Sequence, residues 1–251
     1  MKIAISGKGG VGKTTFAALL IRALNLEGKN ILAVDADPDA NLAAAIGITD
    51  ADKITPISDM KELIYERTEA QPGTVGGFFK LNPKVNDLPD KLSAKFENIS
   101  LMRLGSVKKG GSGCLCPAST LLRALITHIV LIRDDVVVMD MEAGIEHLGR
   151  ATASAVDKLI VVVEPGRRSI ETAAHIRELA AEIGLKNIAL VGNKIRGKKD
   201  EDFLKKNLSG FPFLGLIPHD DALIEADLDG ISPFDVDSSA KNIVCNMISE
   251  L

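Results

Sequence analysis

The sequence predicts an α/β fold: a doubly wound, mostly parallel sheet with helices on both faces. Three observations predict it. Apolar runs recur without polar interruption at 31–34, 136–139, 159–163, 188–191 and 213–217, as strands covered on both faces should. Helix-forming stretches with short links lie between several of them, the alternation that βαβ units impose. The first strand, residues 2–6, runs straight into a glycine-rich turn, and two others end in aspartates, Asp35 and Asp140. Open α/β sheets bind ligands at these carboxyl ends. With 251 residues and 46% apolar content the chain can bury a large core. No internal repeat stands out, so residues 1–251 are expected to form one domain with a peripheral insertion around 47–113.

The turn after the first strand reads Gly7, Lys8, Gly9, Gly10, Val11, Gly12, Lys13, Thr14, Thr15. It matches GxxxxGK[ST], with Gly7, Gly12, Lys13 and Thr14 in the fixed places. Good helix formers follow as far as Leu24, and Gly28 stops them. Glycines let successive N–H groups curl around an anion at a helix N-terminus, where the macrodipole also favours negative charge. A triphosphate such as that of ATP suits this cradle. Gly9, Gly10, Val11 and Gly12 offer backbone, Lys13 reaches the β- and γ-phosphates, Thr14 takes one Mg²⁺ position and Thr15 lies near the α-phosphate.

Composition removes other classes. Thirty basic against 34 acidic residues give a net charge of −4, which is no nucleic-acid footprint. No apolar run approaches the ~18 residues of a membrane span. The chain starts on a core strand rather than a charged leader, so a cytoplasmic protein is expected. Three cysteines in that compartment argue against a disulfide framework.

The second strand empties into Asp35, Asp37 and Asp39, ahead of a short helix through 41–46. Asp39 suits two roles equally, helix cap or chemistry. A short helix is expected over 59–67, with Ser58 or Asp59 as its cap. Residues 78–81 and 99–104 suit two strands of a peripheral hairpin or sheet extension, with a proline-containing loop between them. A helix is predicted over 118–132 and another over 169–183, capped by Gly184. The last stretch, 236–251, is amphipathic and holds one basic residue, Lys241. A membrane-surface helix would want a Lys/Arg-rich polar face, so this one is expected to pack on the sheet.

Lys8 is not required by the generic loop pattern. GKGGVGKTT resembles the deviant Walker A loop of the family that holds nitrogenase iron protein, MinD, ParA and the arsenite ATPase. That resemblance implies a P-loop NTPase in which Lys8 crosses a dimer interface to the partner's nucleotide. It implies that Asp35, in a DxDP switch I, joins the Mg²⁺ shell, and that Asp37 orients or deprotonates the attacking water. It makes Asp140, with Met141, Glu142, Ala143 and Gly144, a switch II: Asp140 holds Mg²⁺ through water and the Gly144 N–H senses the γ-phosphate. Glu142 stands where the family often has a small residue or proline. The resemblance also assigns the adenine edge to Asn193 of the Asn193-Lys194 pair, and the base pocket to residues from Pro218 onward.

Cys114 and Cys116 form a CxC pair in a glycine-rich loop beside Lys108 and Lys109. One CxC cannot fill a four-coordinate site, but two copies meeting at a dimer axis can, for Zn²⁺ or Ni²⁺. The competing expectation is two buried cysteines at a helix start. Cys245 reads as core. His128, His147, His175 and His219 have no metal spacing with one another. KKGGSxCxC before a helix, the stretch Val137 to Leu148 and the VxEP at Val161 to Pro165 resemble the CooC/AcsF accessory ATPases along essentially the whole chain. That resemblance implies a homodimeric, Mg-ATP-driven metallochaperone assisting nickel insertion into carbon monoxide dehydrogenase or acetyl-CoA synthase, with no nucleic acid or membrane as partner. The alternatives are a ParA/MinD-type positioning ATPase, or a metal carrier using nucleotide only as a switch.

Overall fold

A computed structural model describes residues 1–70, 78–105, 116–145, 148 and 150–251. In chain order the elements are β1 (Lys2–Ser6), α1 (Lys13–Leu26), β2 (Ile31–Ala36), α2 (Leu42–Ile46), α3 (Lys61–Thr68), α4 (Leu88–Leu92), β3 (Ala94–Phe96), β4 (Ile99–Arg103) and α5 (Pro117–Ile132). There follow β5 (Val136–Met141), α6 (Arg150–Ala153), β6 (Lys158–Val163), α7 (Arg167–Ile183), β7 (Ile188–Ile195), α8 (Lys198–Asn207), β8 (Phe213–Pro218), α9 (Asp221–Asp229) and α10 (Ser239–Met247).

The strands form one sheet in the order β3-β4-β2-β5-β1-β6-β7-β8. All neighbours are parallel except β3 and β4. Alternate residues of each central strand feed two apolar layers. Ile3 and Ile5 of β1 join Phe16, Leu20 and Val244 on the face covered by α1, α2 and α10. Ala4 joins Leu125, Ile129 and Ile176 on the face of α5 and α7. Burial on both sides is why these strands read as continuous apolar runs.

The register does the positioning. Asp35 of β2 lies directly across from Asp140 of β5, and Asp140 across from Ile5 of β1. Both aspartates therefore end level with the start of the glycine loop. β1 has β5 on one side and β6 on the other, so the loop opens where the chain order reverses, the place where such sheets bind ligands.

Several expectations need correction. Ile99–Arg103 is an internal strand paired in parallel with β2, and its antiparallel partner is Ala94–Phe96 rather than 78–81. Ile99, Leu101 and Met102 are buried, whereas Phe78 is wholly exposed, so residue 78 has no apolar layer to enter. Neither Ser58 nor Asp59 caps α3. Met60 occupies that position, and the Ser58 hydroxyl bonds Asp59 instead. Helices α8 and α9 were not legible: α8 buries only Leu204 and α9 only Ala226. The expected tail helix is α10, capped by Ser238, and it packs on α1 and β8 through Ala240, Val244 and Met247. Cys245 is half-buried beside that core. Among the described residues no helix is long and apolar enough to cross a membrane.

Candidate nucleotide-binding site

The loop has its shape because two glycines stand where a side chain would collide. A Cβ on Gly7 (φ 146°) would lie 2.4 Å from the Val162 carbonyl oxygen, so only glycine lets β1 turn past β6. Gly12 is left-handed (φ 93°) and occupies the N-cap of α1, and a Cβ there would meet Asn193 Nδ2 at 2.3 Å. No side chain caps that helix end. Its first N–H groups stay available to an anion.

The Asn193-Lys194 pair braces the loop from below. Asn193, buried, donates from Nδ2 to the Val11 carbonyl at 2.8 Å and accepts the Lys194 N–H on Oδ1 at 2.9 Å. Lys194 has φ 58° and donates from Nζ to the Gly10 carbonyl at 2.5 Å. The amide expected at the adenine edge is thus engaged with the phosphate loop itself. Lys194 also contacts Glu164 Oε2 at 3.3 Å, and Lys8 Nζ lies 3.3 Å from the other oxygen, Oε1.

Facing the loop is a set of carboxylates. Thr14 donates from its hydroxyl to Asp140 Oδ2 at 2.7 Å, while the buried Oδ1 of Asp140 has no hydrogen-bond partner. Asp35 accepts the Leu42 N–H on Oδ2 (3.1 Å) and the Asp37 N–H on Oδ1 (3.3 Å). Asp35 therefore satisfies the start of α2, the cap role weighed above for Asp39. Asp39 is exposed, and its N–H donates to Asp37 Oδ1 at 3.0 Å. Asp37 Oδ2 approaches Lys13 Nζ at 3.8 Å.

Burial pushes both inner carboxyls up: Asp35 to about 6, against its backbone hydrogen bonds, and Asp140 to about 7, against the Thr14 hydroxyl. Two desolvated carboxylates, one with an orphaned oxygen, beside a hydroxyl make an all-oxygen donor set that fits Mg²⁺. In the turn after β5 the Gly144 N–H donates to the Glu142 carbonyl at 2.7 Å. The Ser6 hydroxyl reaches the carbonyls of Glu142 (3.0 Å) and Gly144 (2.9 Å). Ser6 thus ties the turn after β5 to the end of β1, a role the sequence did not reveal, and Glu142 itself is exposed.

The loop opens on a cleft of about 640 Å³ floored by Gly9, Gly10, Gly12, Lys13, Thr14 and Thr15, with Asp37 and Asp39 on one side. Its far wall comes from α9 and the turn after it, through Leu223, Asp227 and Ile231. Pro218 ends β8, exposed and outside this lining. The apolar wall therefore comes from further along the chain than residue 218.

Cys114 lies outside the described residues, as do Lys108, Lys109 and His147. Cys116 is the N-cap of α5, half-buried, and its sulfur accepts the Ser119 N–H at 3.4 Å. Among the described residues no three potential ligands cluster around a metal position.

A phosphate loop at the switch point of a parallel sheet, with an acidic Mg²⁺ position level with it, defines a P-loop ATPase. The family model of the CobQ/CobB/MinD/ParA nucleotide binding domain matches residues 2–234, and the chain belongs to that family of nucleotide-binding ATPases. It is 46% identical over 245 residues to the carbon monoxide dehydrogenase accessory protein CooC of Rhodospirillum rubrum, covering 96% of this chain and 92% of that one. It is also 46% identical over 243 residues to an uncharacterized ATP-binding protein of Methanocaldococcus jannaschii, covering 96% and 93%. The cell division ATPase MinD of Pyrococcus furiosus superposes with a TM-score of 0.68 at 23% identity, covering 99% of this chain and 98% of that one, a likeness of fold.

Proposed function

We propose that the protein is a Mg-ATP-driven, homodimeric metallochaperone that holds a nickel or zinc ion between two CxC pairs and assists nickel insertion into carbon monoxide dehydrogenase or acetyl-CoA synthase. The observation that carries this is the 46% identity to CooC along nearly the whole chain. Cys116 at the N-cap of α5, half-buried, supports it by leaving one sulfur of the pair reachable at a helix start.

In this reading the loop N–H groups and Lys13 hold the β- and γ-phosphates, and Asn193 and Lys194 keep the loop in the shape that allows it. Mg²⁺, when bound, neutralises charge on the phosphates, held by Thr14, Asp140 and Asp35. Asp37 leaves Lys13 and orients the water for in-line attack, with Lys8 of a second copy neutralising the γ-phosphate. Asp39 lies at the mouth of the same cleft, and Thr15 beside the α-phosphate. In the structure these groups bond each other: Lys13 with Asp37, Thr14 with Asp140, and the Gly144 N–H with the Glu142 carbonyl. Because Lys13, Thr14 and Asp140 would serve both these contacts and a bound nucleotide, residues 35–39 and 140–144 would couple the nucleotide state to the cysteine loop.

A membrane-positioning role finds less support. α10 turns its apolar face inward, and the Nζ of Lys241, its one basic residue, donates to the Phe234 carbonyl at 3.1 Å. Sedimentation with a non-hydrolysable ATP analogue and Mg²⁺ tests the dimer. The wild type should move from monomer to dimer, and Lys8→Ala should stay monomeric. A wild type that remains a monomer, or a Lys8→Ala protein that dimerises equally well, removes the shared-nucleotide reading.

A further inference from the structure

Glu164 ends the strand next to β1, one residue past β6, and its backbone is fixed on both sides. Its N–H donates to Ser169 Oγ at 3.0 Å in the first turn of α7, and Pro165 follows. The carboxylate takes a lysine on each oxygen: Lys8 Nζ at 3.3 Å on Oε1 and Lys194 Nζ at 3.3 Å on Oε2. The two lysines are held differently. Lys194 also bonds the Gly10 carbonyl, so it stays if the carboxylate goes. Lys8 Nζ has Glu164 as its one hydrogen-bond and ion-pair partner among the described residues.

We infer that Glu164 is a positioning residue that parks Lys8 against its own loop until the triphosphate of a second copy draws it away. This rests on the proposed role of Lys8 across the dimer. The pair is weak enough to release, with the lysine 34% and the carboxylate 24% exposed, and exposed ion pairs bias a side chain by no more than about fivefold. A triphosphate outweighs one carboxylate already shared with Lys194. Parking keeps Lys8 out of its own phosphate cradle in the single chain, and Lys194 neutralises Glu164 after release. Because a symmetric dimer draws out two such lysines, removing the carboxylate's charge acts twice on the dimerisation constant.

The test uses the full chain, a non-hydrolysable ATP analogue and a water-soluble carbodiimide, which joins a carboxylate to an amine in contact with it. Without nucleotide, peptide mass spectrometry should find both Lys8–Glu164 and Lys194–Glu164 links. With Mg²⁺ and the analogue the first should fall severalfold while the second persists. Glu164→Gln should dimerise more readily than wild type, by roughly 3- to 30-fold in the dimerisation constant, with an unchanged melting temperature. A merely structural role would weaken the dimer instead. No Lys8–Glu164 link in the nucleotide-free protein, a link that persists with the analogue, or a Glu164→Gln dimer no stronger than wild type overturns the parking role. If the wild type stays monomeric while the Lys8 link still disappears, parking survives and the crossing to a second copy fails.

Discussion

Lys13→Ala should lower ATP turnover by about 10²- to 10³-fold, the cost of removing one preorganised group from developing phosphate charge. Its ammonium is buried and faces Asp37 at 3.8 Å, so the change also leaves Asp37 without a counter-charge. Asp37→Asn should cost about 10²- to 10⁴-fold in turnover, the range for a proton-handling side chain, while nucleotide affinity stays within a few-fold. The two variants separate by titration with a fluorescent nucleotide: Lys13→Ala binds weakly, Asp37→Asn binds and does not turn over. Were wild type and both variants equally slow, nucleotide would be a switch without productive hydrolysis.

Asp140→Asn should make the protein without Mg²⁺ more stable. The folded Asp140 carboxyl is raised to about 7 by burial, so the folded chain binds that proton more tightly than the unfolded one. The folded state therefore loses stability as pH rises from about 4 to about 7 and carries the whole desolvation cost above it. Asp35, raised to about 6, adds to the same trend. The asparagine removes the charge and can still accept from Thr14. At about pH 8 the gain should be roughly 2 kcal/mol, or several degrees in melting temperature, shrinking toward pH 5. Adding Mg²⁺ to the nucleotide-bound protein should stabilise the wild type further and leave the variant nearly unmoved. A variant less stable than wild type at pH 8 without metal would mean Asp140 is held by something other than an unfilled cation position.

The sheet was legible because strands buried on both faces write continuous apolar runs, and five of the eight strands contain one, at 31–34, 136–139, 159–163, 188–191 and 213–217. β1 announced itself through the loop it feeds. β4 reads as a strand, though its place beside β2 does not, while β3 is invisible because three residues carry no period. Helix α8 is mostly charged and Leu204 is its one buried residue, so no apolar run marks it.

The phosphate cradle was legible because its chemistry demands adjacent residues. What holds the cradle was not: Asn193 meets Val11 across 182 positions, Lys8 meets Glu164 across 156 and Ser6 meets Glu142 across 136. Such contacts belong to the sheet order, which brings β1, β5, β6 and β7 together. The double role of Asp35, facing the site while satisfying the start of α2, is invisible for the same reason: its aspartate is seven residues from Leu42, and only the turn between them closes the gap.

The proposed metallochaperone role stands or falls on whether two copies of the chain share a metal through sulfur. Purified protein is loaded with Ni²⁺ or Zn²⁺, freed of excess ion, and measured for metal content and sedimentation together, with and without the ATP analogue, for wild type and Cys114→Ser/Cys116→Ser. A shared site should give about one metal ion per two chains in the wild-type dimer and almost none in the double variant. Stoichiometric metal retained by the double variant, or one ion held by each single wild-type chain, would contradict it.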